Sequence, residues 1–593
     1  MPMKKLLVIL GWLVSVCASA QGDQLAQNYF DKGDFEKARI SYEELNRVQP
    51  GNQFYFQRLI ESYQQLQQYD VAEKALTGRI ARYPSGGLLV ELGYNYQLKK
   101  DLGKARRYYE DALDKIRKNP SEVYAIAPTF ERKVLIDYAL QAYQLAVSLQ
   151  PAMNFNYQMA LLYGQSGDMG KMIDMFLTES QANPQNLIMI QNVFVRFMTE
   201  DAEATFNESL RKALLVRAQK NQDIFWNQYL SWFYVQQKEY GKAFIQEKAI
   251  YKRDPETFSN IVNLAQLAIE EGETGTAREI FTFILENTRD LELQIQAHYY
   301  LTQMRIDGAQ AKDYPAIESD LALLLKQYGI SPYSLQLQIL NAHFVTFYLN
   351  KPDVAKTLLK TALGLPLSKY QQADVKMELA DILLYEEKFN QALIYYSQIE
   401  EDLKNDVVGH EASLKSARTS YFKADFDWAQ KQFKALKSAS TQLIANDALE
   451  YFLLLNDNTV ADSTQTALKR FARADYLLYQ NKNKDALAQF QSILKDFKGQ
   501  EIEAVTLLRV GKTYEKLGDT NAALAQYQML IDKHADCIYI DEALYFSAEI
   551  YNKSNQPEKA KPHYEKILFN HQDSIYFVDA RKKFRQLRGD NNL

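Results

Sequence analysis

An alanine returns along this chain at a nearly constant interval: Ala38, Ala72, Ala105 and Ala139, with Met172 in the same slot afterwards, at steps of 34, 33, 34 and 33. Four residues beyond each stands a large ring or a leucine: Tyr42, Leu76, Tyr109, Tyr143 and Phe176. That offset places the small and the bulky residue on one face of a helix. Pro50, Pro84, Pro151 and Pro184 keep the same beat. The first unit, LAQNYFDKGDFEKARISYEELNRVQP from Leu25, shows the local logic. Ala26 and Ala38 let two helices approach closely, Gly33-Asp34 turns the chain between them, and Pro50 ends the second helix. One such hairpin cannot bury enough apolar area to offset its conformational entropy, so each must pack on the next. The pattern therefore predicts an all-α solenoid and excludes a single globular core.

The units continue with varying clarity. The pattern fades over 185–223 and returns at Tyr234, Tyr240, Ala243 and Pro255, then at Ala265, Gly272, Ala277 and Phe281. Over 291–364 the units lengthen, with Ala316 and Ala355 as the candidate second-helix alanines. Clear units resume at Ala380, Phe389, Ala392 and Tyr396, and at Ala417, Phe426, Ala429 and Phe433. From Ala429 to Ala486 the step is 57 residues, too long for one hairpin, so an additional helix is expected around Ala445–Leu454. LNDNTVADSTQ, Leu455–Gln465, lacks apolar periodicity and reads as a boundary. Ala486, Ala523 and Ala560 then follow at steps of 37, and the final segment, Asp573–Asp590, alternates apolar and basic residues in a helical pattern as a cap should. These shifts divide the chain into a leader (1–20), an array of period about 34 (21–290), a longer, degenerate middle (291–455) and an array of period 37 (456–593).

Within the last array, Gly511-Lys512-Thr513 looks like the end of a phosphate-binding loop. Such a loop needs a glycine five positions earlier, where Thr506 stands inside an apolar helical run. Gly511, Tyr514, Gly518, Ala523 and Tyr527 instead describe two helices in contact with a turn at Gly518.

On these positions the chain resembles the tetratricopeptide repeat (TPR) family. Its 37-residue units, over roughly Ala474–Gly589, are similar to bacterial envelope repeat proteins of the cell-division coordinator and outer-membrane assembly lipoprotein type. Asn483 and Thr520 depart from the aromatic usual after the turn. The resemblance implies a TPR α-solenoid, a right-handed superhelix of about 12–14 helix-turn-helix units, whose first helices line a concave groove that binds segments of other proteins. Carried onto this chain, the groove positions are Gln27, Phe30, Glu61, Gln64, Tyr94, Gln97, Tyr157 and Leu161 in the first array, and Lys512, Glu515, Glu549 and Asn552 near the end. Between them lies an aromatic cluster, Phe225, Trp226, Tyr229, Trp232, Phe233 and Tyr234. There Trp226, Phe233 and Tyr234 fall on packing positions, while Gln228, Trp232 and Val235 face the groove. Aromatics at a groove centre are what peptide hot spots use, although a thick core uses them too.

Residues 1–20 carry Lys4 and Lys5, an apolar run Leu6–Val16 and Ala18-Ser19-Ala20, the layout of a cleavable secretory leader. Export to a bacterial periplasm, or to the periplasmic face of the outer membrane, is the expectation. Cys17 opens a lipoprotein alternative, against which stands the bulky Val16. No other run is long and apolar enough to span a bilayer, though peripheral membrane association stays open. Cleavage leaves Cys537 alone, so no disulfide would support the fold. Charge is nearly balanced, 69 Lys and Arg against 74 Asp and Glu, which gives no footing for nucleic acid.

The residue patterns of catalysis are absent. His410-Glu411 begins like a zinc-protease helix, but Leu414 stands where the second histidine is needed. His534 and Cys537 are two ligands without two more. Glu270-Glu271, Glu386-Glu387 and Glu400-Glu401 read as solvated charge, and Lys582, Lys583, Arg585 and Arg588 as a solubilising cap or an anionic-lipid contact. No cofactor or metal is expected. The sequence thus predicts a non-enzymatic envelope scaffold for protein–protein interaction, with a permanent structural subunit of a secretion or outer-membrane machine as the alternative. An enzyme with a site spread over distant units is the remaining one.

Overall fold

A computed structural model describes residues 22–200, 205–220, 223–255, 258–439, 441–459 and 465–588. The leader, with Lys4, Lys5 and Cys17, lies outside them. Among the described residues every regular element is a helix, α or short 3-10, and none is long and apolar enough to cross a membrane. The helices alternate as pairs joined by tight turns, an α-solenoid as expected. They group into two compact units, one within residues 22–200 with 206–216, the other within 217–588.

In the first unit the pairs run from a helix over 22–31 with Phe35–Val48 through Gln53–Gln65 with Tyr69–Arg82, Gly86–Leu98 with Leu102–Lys118 and Val123–Arg132 with Ile136–Leu149 to Asn156–Gln165 with Met169–Ala182. The slot alanines Ala38, Ala72, Ala105 and Ala139 are all at most 2% exposed, and the rings four residues on are buried with them. Small residues at one contact and rings at the next are what let successive helices interlock at this density.

A second periodicity appears at the turns, where one residue per pair takes a left-handed backbone. Gly33, Gln67, Lys100, Val134 and Gly167 have φ between +56° and +82°, at steps of 34, 33, 34 and 33. In the second unit Asn350, Glu387 and Ala424 do so at steps of 37, and Asn481, Gly518 and Asn555 repeat that step. Only some are glycine, so most of this register is invisible to a search for glycine turns. Val134 is the costliest member, because its branched β-carbon clashes with the backbone in this region.

The second unit begins with Ile224–Gln236 and Tyr240–Arg253, and its middle part is more regular than the sequence suggests: Leu291–Asp307 with Tyr314–Tyr328, Leu335–Phe347 with Pro352–Leu363, Lys369–Tyr385 with Phe389–Asp402, and Val407–Phe422 with Phe426–Ala439. The buried slot residue of the second helix in the first of these is Ile317, fully buried, while Ala316 is exposed. A 3-10 turn at Ala311–Asp313 and Pro315 at the helix start lengthen the connection and shift the register by one. The additional helix is Gln442–Thr459; it absorbs the first half of the proposed boundary, with Leu454 and Leu455 buried, and residues 460–464 lie outside the described set.

That extra helix permits a contact which a nearest-neighbour solenoid lacks. The helix Thr466–Tyr479 returns to the end of Lys369–Tyr385, where the Tyr476 hydroxyl donates to the carbonyls of Leu384 and Tyr385, at 2.6 and 3.0 Å. Gln480 donates to Tyr385 O at 2.7 Å and the Tyr479 hydroxyl to Asp381 O at 2.9 Å. Of the last four carbonyls of Lys369–Tyr385, Ile382, Leu383 and Leu384 accept from the turn N–H groups of Glu386, Lys388 and Glu387, and Tyr385 takes its donors from the side chains of a distant unit.

Candidate functional site

The tyrosine slot of the second helix ties it to the first. In pair after pair its hydroxyl crosses to the first helix and donates to an amide or carboxylate: Tyr42 to Gln27 at 3.1 Å, Tyr109 to Gln97 at 2.8 Å, Tyr143 to Glu131, Tyr396 to Asp381, Tyr527 to Glu515 and Tyr564 to Glu549. Burial raises the hydroxyl pKa in each, to about 12 for Tyr42, so the proton stays and the bond is a donated one. Four of the predicted groove residues, Gln27, Gln97, Glu515 and Glu549, are therefore acceptors that fix the hairpin. The sequence carries this signal: each acceptor stands 12 or 15 residues before its tyrosine.

The other predicted positions sort by neighbour. Phe30 packs edge-on against Phe35 and under the Arg58 guanidinium, 4.5 Å from its ring. Glu61 takes Arg58 at 2.9 Å and Lys133 at 3.5 Å, and Lys133 also lies 5.0 Å over the Tyr94 ring. Gln64 is buried with its amide nitrogen unsatisfied. Tyr157 packs edge-on against Phe176, and Leu161 is 40% exposed. Lys512 is ion-paired to Glu542 and lies over Phe546; Glu549 also binds Lys583 at 2.6 Å, and Asn552 is half-buried. Lys583, from the basic end of the chain, is thus drawn inward.

Gln228, Trp232 and Val235 come together as walls of one cavity of about 330 Å³. The next first helix, Ser259–Glu270, supplies Asn260, Asn263, Leu264 and Leu267 to the opposite wall. Trp226, Phe233 and Tyr234 are buried in the core behind it, as the register predicts. Trp232 is half-buried and lies edge-on to Tyr229 at 5.4 Å.

Sequence reasoning missed the floor of this cavity. Four residues past Ala243 the slot that elsewhere holds Tyr, Phe or Leu holds Glu247, 7% exposed. Burial raises its carboxyl pKa above the ordinary 4.5, opposed by hydrogen bonds from Ser231, at 2.5 Å, and Asn260. The signal was available, since Ala243 plus four is read directly from the register. Glu247 thus puts a poorly solvated acceptor between the apolar Trp232, Val235, Leu264 and Leu267 and the amides of Gln228, Asn260 and Asn263.

No cluster of His, Cys, Asp and Glu suited to a metal occurs among the described residues. Cys537 is half-buried, its thiol pKa pushed up by burial, and His534 sits 3.7 Å from Glu503.

The tetratricopeptide-repeat family model matches residues 23–52 and 506–536, the first hairpin and the hairpin around Gly511. The chain carries tetratricopeptide repeats. No curated protein matches it by sequence. Among solved structures it is similar to the anaphase-promoting complex hetero-tetramer Cut9-Hcn1, at 13% identity over 96% of both chains with a TM-score of 0.24. It is also similar to Naa15/Naa10 bound to HypK-THB, at 12% identity over 90% of this chain and 96% of that one with a TM-score of 0.25. Superpositions this loose carry no functional argument. The TPR solenoid rests on the helix pairs and slots themselves.

Proposed function

We propose that this TPR chain is a non-enzymatic scaffold that holds an extended segment of another protein across the cavity of Trp232 and Glu247. The observation that carries the reading is the composition of that cavity. An apolar wall fits a side-chain anchor, while Glu247, Gln228, Asn260 and Asn263 offer acceptors and donors beside it, a mixture that suits a peptide. Aromatic anchors in desolvated pockets supply most of the energy in such capture. TPR proteins serve protein–protein interaction, and Gln27, Gln97, Glu515 and Glu549 are taken up in hairpin bonds, whereas this cavity sets amides beside an apolar wall.

The leader-like residues 1–20 support export, and the 37-residue units support an envelope setting such as assembly of an outer-membrane complex. A photo-crosslinking residue at position 232, compared with one at the exposed second-helix position Ile245, tests the capture reading in intact cells followed by mass spectrometry. Partner crosslinks specific to position 232 support it. Equal crosslinking from both positions would favour a permanent structural subunit embedded on several faces, and crosslinking from 245 alone would refute groove capture.

A further inference from the structure

Another cavity, of about 340 Å³, opens in the second unit where Val407–Phe422, Lys369–Tyr385 and the returning helix Thr466–Tyr479 meet. Its charges are unevenly paired. Asp381 is fully occupied, by Lys415 at 2.7 Å and by the hydroxyl of Tyr396. His343 is held by Glu378 at 3.1 Å, whose carboxylate outweighs the opposing effect of burial and raises the imidazole pKa. Behind the wall, Asp475 is taken by Arg509 at 3.4 Å and by the Tyr421 hydroxyl at 3.2 Å, and Glu450 by Arg509 at 2.8 Å.

Arg418 is left over. Its guanidinium forms no ion pair or hydrogen bond among the described residues, and its Nε is closed off from solvent. It lies near the rings of Phe422 and Tyr451, at 5.8 and 5.7 Å. Asp475 and Asp381 feel its charge only from beyond ion-pair distance. Lys516, exposed on the rim, likewise has no carboxylate partner among the described residues. An arginine cannot shed its proton to escape a poorly solvated site, so an unpaired one is costly unless something else supplies the negative charge. The remaining wall is mainly apolar and aromatic, Phe347, Tyr348, Leu384, Phe422, Leu478 and Tyr479, with Asn481 as its polar member.

We propose that this cavity binds a small organic anion, a carboxylate or phosphate group on an apolar, ring-sized body, with Arg418 forking onto the oxyanion and Lys516 supplying the second positive charge. The planar fork of Arg418 matches two oxygens at once, and the aromatic wall takes the body. The Thr466–Tyr479 helix closes one side, so the site exists only because that helix returns to Lys369–Tyr385. The inference is independent of protein capture at Trp232.

Isothermal titration of the full chain with phenyl phosphate and with benzoate, against benzyl alcohol as the uncharged body, reads it directly. Binding of either acid, absent for the alcohol and weakened about tenfold or more by Arg418→Met and by Lys516→Met, is the expected result; which acid binds tells phosphate from carboxylate. Removing an unpaired cation strands no carboxylate, so Arg418→Met should fold; should circular dichroism show otherwise, the exposed Lys516→Met decides alone. No binding of either acid at millimolar concentration, or binding indifferent to the substitutions, overturns the proposal.

Discussion

The Tyr476 hydroxyl and the Leu384 carbonyl, 92 residues apart in sequence, meet at 2.6 Å. This bond joins two first helices that a simple stack of hairpins would leave separated by an intervening unit. Tyr476→Phe removes this buried bond while Leu384 O keeps the Glu387 N–H and Tyr385 O keeps Gln480, so the cost is that of one net hydrogen bond, about 0.5–1.5 kcal/mol. Because coupling in a solenoid is local, the expected signature is faster amide exchange near the C-terminal ends of both helices, with the first unit unchanged. Unaltered exchange there would mean the contact does not bear on stability.

Val134 is a branched residue held at φ +56° in an exposed turn. Its counterpart one unit on is Gly167 at φ +82°. Val134→Asn should stabilise the first unit by about 1 kcal/mol, since asparagine tolerates this backbone. The reciprocal Gly167→Val should destabilise it by a similar amount, and thermal melts of both check the sign.

Gly511 has no room for a side chain: an added β-carbon would run into the Tyr527 ring. Gly511→Ala is expected to cost about 1–3 kcal/mol by overpacking that contact, as is Ala523→Phe at the fully buried slot beside it. Denaturant melts with unchanged midpoints for both would show the proposed contact register to be wrong.

Glu247 titrates above its usual 4.5 in the folded chain. A raised acid pKa means that, as pH rises from the unfolded to the folded value, the unfolded chain loses its proton first, so stability falls with rising pH through that window. Glu247→Gln removes the term. The variant should melt higher than the parent at neutral pH and match it below about pH 4, where both states of the parent are protonated. A constant offset across pH would show that the carboxyl is not the cause.

Trp232→Ala removes the largest apolar wall of the cavity while leaving the buried Trp226, Phe233 and Tyr234 in place. Partner capture should weaken with melting little changed. Normal capture by a folded variant would end the anchor role of Trp232.

Much of the fold was legible because its information is local. Ala38 and Tyr42, or Ala523 and Tyr527, are one helix turn apart, and their repetition alone predicts stacked hairpins; Gly518 announces its turn in the same way. Other turns were hidden, because Gln67, Lys100 and Glu387 take the left-handed backbone without looking like turn residues. That Gln228, Trp232 and Val235 share one face was legible, and they line one cavity, whereas the hydroxyl donors to Gln27 and Glu515 were not, because they lie on the partner helix.

By itself, then, the sequence determined that this chain is an all-α array of paired helices, and which residues fill their slots. The tertiary structure decided what depends on the sum of many small rotations from unit to unit: the return of Thr466–Tyr479 to Lys369–Tyr385, the isolation of Arg418 in a partly closed cavity, and the facing of Glu247 by the amides of the next helix. A periodic pattern specifies each step of a solenoid, while contacts between residues about ninety positions apart arise only once all the steps between them have been taken.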